Sequence, residues 1–177
     1  MAKISIKDIR AHLNQKTSDA LVEEIITLIK TFPQIREYYQ AQLLPGDSTE
    51  ILANYKKIIE NEFFPSRGFG KLRLANIRKA ISDYKKLSPS LEGRVELLLC
   101  FVGQGSKFIN VYGDIKENFY DSMESAYEDA CKLIASKKLE KGWESQFEEV
   151  AKASKSSGYG FGDNIRDMFN ETFLRIN

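Results

Sequence analysis

Residues 116–139, "KENFYDSMESAYEDACKLIASKKL", place Phe119, Met123, Ala126, Tyr127, Ala130 and Ile134 on one face at a 3.6-residue period. Such a stripe has to be buried against other elements, and the rest of the chain is punctuated in the same helical way. Ser5 with Asp8 reads as a capping box opening a first helix, with Ile6, Ile9 and Leu13 on one face. A second helix starts near Ser18 and carries "ALVEEIITLIKTF". Pro33 suits the first turn of a third, "PQIREYYQAQLL". "PGD" at 45–47 breaks the chain, and Asp47 with Glu50 forms a further capping pair before "TEILANYKKIIENEFF". From about Lys71 to Leu87, Leu74, Ile77, Ile81 and Tyr84 share a face, and Ser88-Pro89 restarts the chain. "WESQFEEVAKASK" and "DNIRDMFNETFLRI" complete it.

One stretch is ambiguous. "RVELLLCFVGQGSKFINVYGD", residues 94–114, fits either a long buried helix or two strands joined at Gly103-Gln104-Gly105. A lone hairpin would have no sheet to join, so the helix is expected. Phe32-Pro33 and Phe64-Pro65 lie 32 residues apart, but no third copy supports a repeat. The expectation is an all-α fold: one globular domain over 1–177, about eight or nine helices in a bundle or helical-hairpin array.

The chain of 177 residues can bury a core without metal or disulfide. Cys100 and Cys131 sit among apolar residues and read as reduced core cysteines. The start "MAKISIKDIR" has no apolar h-region, and "VELLLCFV" is too short to span a membrane. A cytoplasmic protein is expected. Net charge is only +1, against a dedicated nonspecific nucleic-acid binder. Yet residues 1–90 carry +5 and residues 91–177 carry −4, a split that suggests a basic and an acidic lobe.

Two charged stripes are the candidate sites. Lys71, Arg78 and Lys85 repeat every seven residues, widened by Lys79 and Lys86, with Arg67 just before them. Such a stripe can follow a phosphate backbone or meet an acidic protein face. The plainer alternative is a solvated helix face whose long basic stems cover the core edge. Glu117, Asp121, Glu124 and Glu128, with Asp114 just before, form its acidic mirror. Carboxylates on one face can hold Mg²⁺ or Ca²⁺, but EF-hand spacing and Glu-x-x-His pairs are both absent. Like charges at i,i+4 repel by a few tenths of a kcal/mol per pair, a cost that docking on a basic surface offsets.

Other constellations weigh less. His12 is the only histidine, so zinc chemistry is nearly excluded, and a Cys–His nucleophile pair has no sequence signature. "SSGYGFGDN" at 156–164 sets glycines before Asp163, read as a helix N-cap. The turn can serve as an anion nest, but a tight interhelical turn is the simpler account. Tyr38, Tyr39, Tyr112, Tyr120 and Trp143 can stack on bases, but aromatics at helical spacing usually belong to a core.

Several stretches carry a wider resemblance: "FPQIREYY", "NEFFPSRGFGKLRLANIRKAISDYKKL", "YGDIKENFYDSMESAYEDA" and "GYGFGDNIRDMF". The most specific are Gly113-Asp114-Ile115 with the following Phe119-Tyr120-x-Ser122, and Gly158-x-Gly160-Phe161-Gly162-Asp163. Over nearly its whole length the chain resembles a bacterial family known only as a domain of unknown function. The resemblance implies an all-helical intracellular bacterial protein, and no activity or catalytic residue.

No catalytic residue, metal site or cofactor is assigned. The leading reading is a non-enzymatic interaction module. Its basic residues Arg67, Lys71, Arg78, Lys79, Lys85 and Lys86, and its acidic face of Asp114, Glu117, Asp121, Glu124 and Glu128, would bind a protein partner or a second copy. A nucleic-acid-binding regulator using residues 67–86 is the alternative. A metal-dependent hydrolase comes third.

Overall fold

The computed structural model describes residues 4–43, 48–87 and 90–174. Among these residues the protein has nine helices and no strand: α1 (Ile6–Leu13), α2 (Ser18–Thr31), α3 (Pro33–Leu43), α4 (Ser48–Phe63), α5 (Leu74–Leu87), α6 (Leu91–Tyr112), α7 (Glu117–Ala135), α8 (Glu140–Ser154) and α9 (Phe161–Phe173). The expected break at Pro45 to Asp47, the Asp47–Glu50 cap and the Ser88-Pro89 restart lie outside the described residues.

The chain divides into two compact units, Met1–Pro45 and Gly46–Asn177. In the first, the Ser5–Asp8 capping box forms as its residues dictate. The Asp8 amide donates to Ser5 Oγ at 3.2 Å, and the Ser5 amide donates to Asp8 Oδ2 at 3.0 Å. Thr17 caps α2 by accepting from the Ala20 amide, and Pro33 opens α3 without a donor to orphan. α2 packs on α3. No residue of α1 or α2 is buried.

The second unit is built on α6, which packs against α4, α5, α7 and α8. Residues 95–112 are thus one helix, not a hairpin. Val95, Leu97, Leu98, Leu99, Phe101, Val102 and Phe108 are all buried, so apolar residues lie around most of the cylinder and blur any period. Gly105 lets α7 approach: a Cβ there would stand 2.1 Å from Met123 Sδ. The whole apolar stripe expected of α7 is buried. The Tyr127 hydroxyl donates to the Phe147 carbonyl at 3.1 Å, tying α7 to α8.

Two local expectations change. α5 begins at Leu74, not Lys71. Leu72 is in the left-handed region at φ 51°, and its amide donates to the Glu62 carbonyl, which holds residues 71–73 out of the helix. Asp163 does not cap α9. The cap is Gly160 at φ 73°, where left-handed backbone favours glycine, and Asp163 sits in the first turn paired with Arg166 at 2.9 Å.

Candidate functional site

The basic residues separate around α5. Ile77, Ala80 and Tyr84 face inward and are buried. Lys79 and Lys86 turn to solvent, and both pair with Asp83. Arg67 and Lys71 stand exposed in the preceding loop. Arg78 and Lys85 instead line a cleft shared with α6 and α7. With Lys71 off the helix, the seven-residue stripe is not formed.

That cleft holds about 880 Å³. Ile81, Leu98, Phe101 and Leu133 give it an apolar lining, and Ser82, Ser122, Ser125 and Ser136 supply hydroxyls. Its charged residues are Arg78, Lys85, Arg94, Asp121, Asp129 and Lys132. Arg78 Nη2 donates to Ser122 Oγ at 2.7 Å, and that hydroxyl donates to the Asn118 carbonyl at 2.6 Å. Tyr84 abuts Gly93, which sets the last turn of α5 against the start of α6, and Lys85 and Arg94 line the same cleft. α7 returns along α6, with Met123 against Gly105, which brings Asp129, Lys132 and Ser136 to that same end. Among the described residues neither Lys85 nor the half-buried Arg94 has an ion-pair partner.

On its other flank α7 forms a groove of about 540 Å³ with α9. Asp121, Glu124 and Glu128 line it from α7, Asp167 and Glu171 from α9. Glu124 accepts from Asn164 Nδ2 at 2.9 Å, and Glu128 pairs with Lys132 at 2.7 Å. Asp121 lies on the ridge between the two cavities and lines both. The rest of the acidic stripe lies elsewhere. Glu117 is exposed in the first turn of α7, and Asp114 accepts from the Tyr120 hydroxyl at 2.7 Å. Burial, then that hydrogen bond to Asp114, pushes the Tyr120 phenol up to about 12. Among the described residues no three His, Cys, Asp or Glu side chains converge as metal ligands would.

Sequence reasoning missed five charged participants, Asp129 in the cleft among them. Arg94 and Lys132 sit in segments whose apolar and acidic neighbours drew attention away from them. Asp167 and Glu171 are four apart on α9, an i,i+4 spacing that signals a shared face. A further omission is Glu62, among the described residues the one charged side chain that is buried. Its carboxylate accepts from the Arg73 amide, Nε and Nη2 and from Asn76 Nδ2, at 2.7–3.0 Å, and so fixes the chain entering α5.

The aromatics also divide. Tyr120 is buried and Trp143 half-buried. Phe69 is exposed and meets Tyr112 edge-on at 5.9 Å, and Phe64 lies 6.3 Å from the same ring. Arg67 and Lys71 flank this cluster in sequence.

Burial, then the Glu60 charge, pushes the Cys100 thiol up to about 12, and burial pushes Cys131 up to about 11. The thiolate is the reactive form. Native protein is therefore expected to leave Ellman's reagent nearly unreacted at pH 8, and both thiols to react once it is unfolded. A fast-reacting thiol in the native state would contradict this assignment.

The family model described as a family of unknown function (DUF6155) matches residues 3–169, and the chain belongs to that family. No curated protein and no solved structure matches the chain. Among the described residues no helix is long and apolar enough to cross a membrane.

Proposed function

We propose that this protein is a non-enzymatic, cytoplasmic interaction module that docks on a protein partner or on a second copy of itself by charge. The observation that carries this reading is the α7–α9 groove, which five acidic residues from two helices line. A cationic segment seated there would relieve the repulsion along α7 and gain charge-assisted hydrogen bonds. The outward Lys79 and Lys86, with Arg67 and Lys71, offer such a segment on a second copy. A face-to-groove contact of that kind is heterologous, so it builds rings or open chains rather than a two-fold dimer.

Sedimentation velocity between 50 and 500 mM salt tests this. Association is expected at low salt and loss of it at high salt, because exposed charges are screened. Asp121→Lys with Glu124→Lys should abolish the low-salt species, and Lys79→Glu with Lys86→Glu should do the same. Mixing the two variants should restore association in part. A monomer at every salt concentration would remove the self-docking form, and leave a separate protein partner to be sought with the same variants as controls.

A second reading draws on the exposed aromatic cluster. Phe69 and Tyr112 beside Arg67 and Lys71 resemble a stacking platform for single-stranded nucleic acid. Anisotropy of a labelled single strand decides between them. Submicromolar, salt-sensitive binding that vanishes in Phe69→Ala would replace docking with this function.

A further inference from the structure

We infer that the cleft between α5, α6 and α7 is a binding site for a small organic oxyanion, a phosphate monoester or a carboxylate, whose anionic head sits between Arg94 and Lys85. The site differs from the α7–α9 groove in sign and in construction. Its volume, about 880 Å³, lies in the range of small-molecule pockets. Arg94 is the decisive group. It is half-buried, lines the cleft, and has no ion pair among the described residues. A guanidinium is always charged, and its fork of donors matches carboxylate or phosphate oxygens in pairs. With no ion pair among the described residues and a partly enclosed position, it is poised for an anion brought from solution.

The surroundings define the head-group pole. Lys85 approaches from α5 and has no ion pair either. Lys132 stands at the same end, shared with Glu128 on its outer side. Asp129 is the carboxylate that lines this end of the cleft, and with Glu128 behind Lys132 three cations still meet two anions there. Toward the other end the charges balance. Arg78 is already bound to Ser122, and Asp121 lies beside it on the cleft wall. A single anionic head at the Arg94 end therefore fits better than one at each end. Along the cleft Ser82 and Ser125 offer hydroxyls above the apolar Leu98 and Phe101, which suits a short body with hydroxyl groups.

The test turns on Arg94 and Lys85, neither of which the docking contact uses, so the two readings can fail separately. Backbone amide shifts are followed while inorganic phosphate, glycerol 3-phosphate or succinate is added at constant ionic strength. The expected result is saturable shifts at the start of α6 and the end of α7 with a phosphate or with the dicarboxylate; which one saturates identifies the head group. Arg94→Gln should weaken that binding at least tenfold, and Lys85→Gln several-fold, with Lys152→Gln on α8 as the unchanged control. Among the described residues the Arg94 side chain makes no hydrogen bond or ion pair, so the variant should keep the wild-type amide spectrum away from the cleft. If it does not, Lys85→Gln, which is exposed, carries the test. Shifts that rise linearly with every probe, or saturable binding that both variants leave intact, would overturn the inference.

Discussion

A Gly105→Val chain is expected to lose roughly 3 kcal/mol of stability, near the upper end for overfilling a packed core. The valine Cβ would stand 2.1 Å from Met123 Sδ, inside any allowed contact. Methionine is flexible and can often yield, but this one is fully buried on the packed face of α7, with little room to swing. Removing a helical glycine works in the opposite direction by only about 1 kcal/mol. The sulfur is the diagnostic partner. Met123→Ala alone should cost about 2–5 kcal/mol by opening a cavity. Gly105→Val with Met123→Ala should cost clearly less than the two effects added, because the valine enters the space the methionine leaves. Denaturant unfolding of the four proteins gives the coupling, expected to exceed about 1 kcal/mol. Additive effects would mean that α6 and α7 do not approach at this glycine, and that the cleft they wall has another shape.

That glycine also explains what could be read from the sequence. α7 was legible because only one of its faces is buried, so the burial pattern and the residue pattern share one period. α6 was legible only by elimination. It packs on four neighbours, and its glycine at 105, which looked like a hairpin turn, is a point of close approach to another helix. A contact of that kind joins residues 18 apart and leaves no mark on the local pattern. The basic stripe failed for a similar reason. The seven-residue repeat of Lys71, Arg78 and Lys85 is present in the sequence, but Glu62 and the left-handed Leu72 delay the helix to Leu74. The stripe then divides into cations that face water and cations that face α7. Of the acidic stripe, Asp121, Glu124 and Glu128 line one groove from α7, whereas Glu117 stands in the first turn and Asp114 precedes the helix. The α9 carboxylates of that groove and the place of Arg94 in the cleft depend on how helices are laid side by side, which spacing within one segment does not encode.

Glu62 sets the last expected result, a loss of stability with a defined pH dependence. Burial pushes its carboxyl up, but the hydrogen bonds from the Arg73 side chain, from Asn76 and from the Arg73 amide, with the Arg73 charge, together outweigh burial and hold it below the usual carboxylate range. Glu62→Ala removes all four acceptor contacts at once. Arg73 is 54% exposed and regains water, whereas the Arg73 amide at the entrance of α5 loses its partner. Roughly 2–3 kcal/mol is expected for hydrogen bonds to a charged group, or a fall in Tm of about 5–10 °C for a chain of this size. Glu62→Gln isolates the charge. In the unfolded chain the carboxyl takes up its proton near pH 4.3, and in the folded protein at lower pH. The stabilisation is therefore complete above the unfolded value and is lost as pH falls through the folded one. The stability gap between natural protein and Glu62→Gln should be widest at pH 7 and close as the carboxyl is protonated. Asp8 and Asp83 are also held low, by hydrogen bonds from Ser5 and Lys79, but they are common to both proteins and cancel in the difference. Urea unfolding at pH 7, 5 and 3 measures the gap. A gap that stays constant across that range would show that the carboxylate charge does not hold the loop to α5, and that shape alone sets where the helix begins.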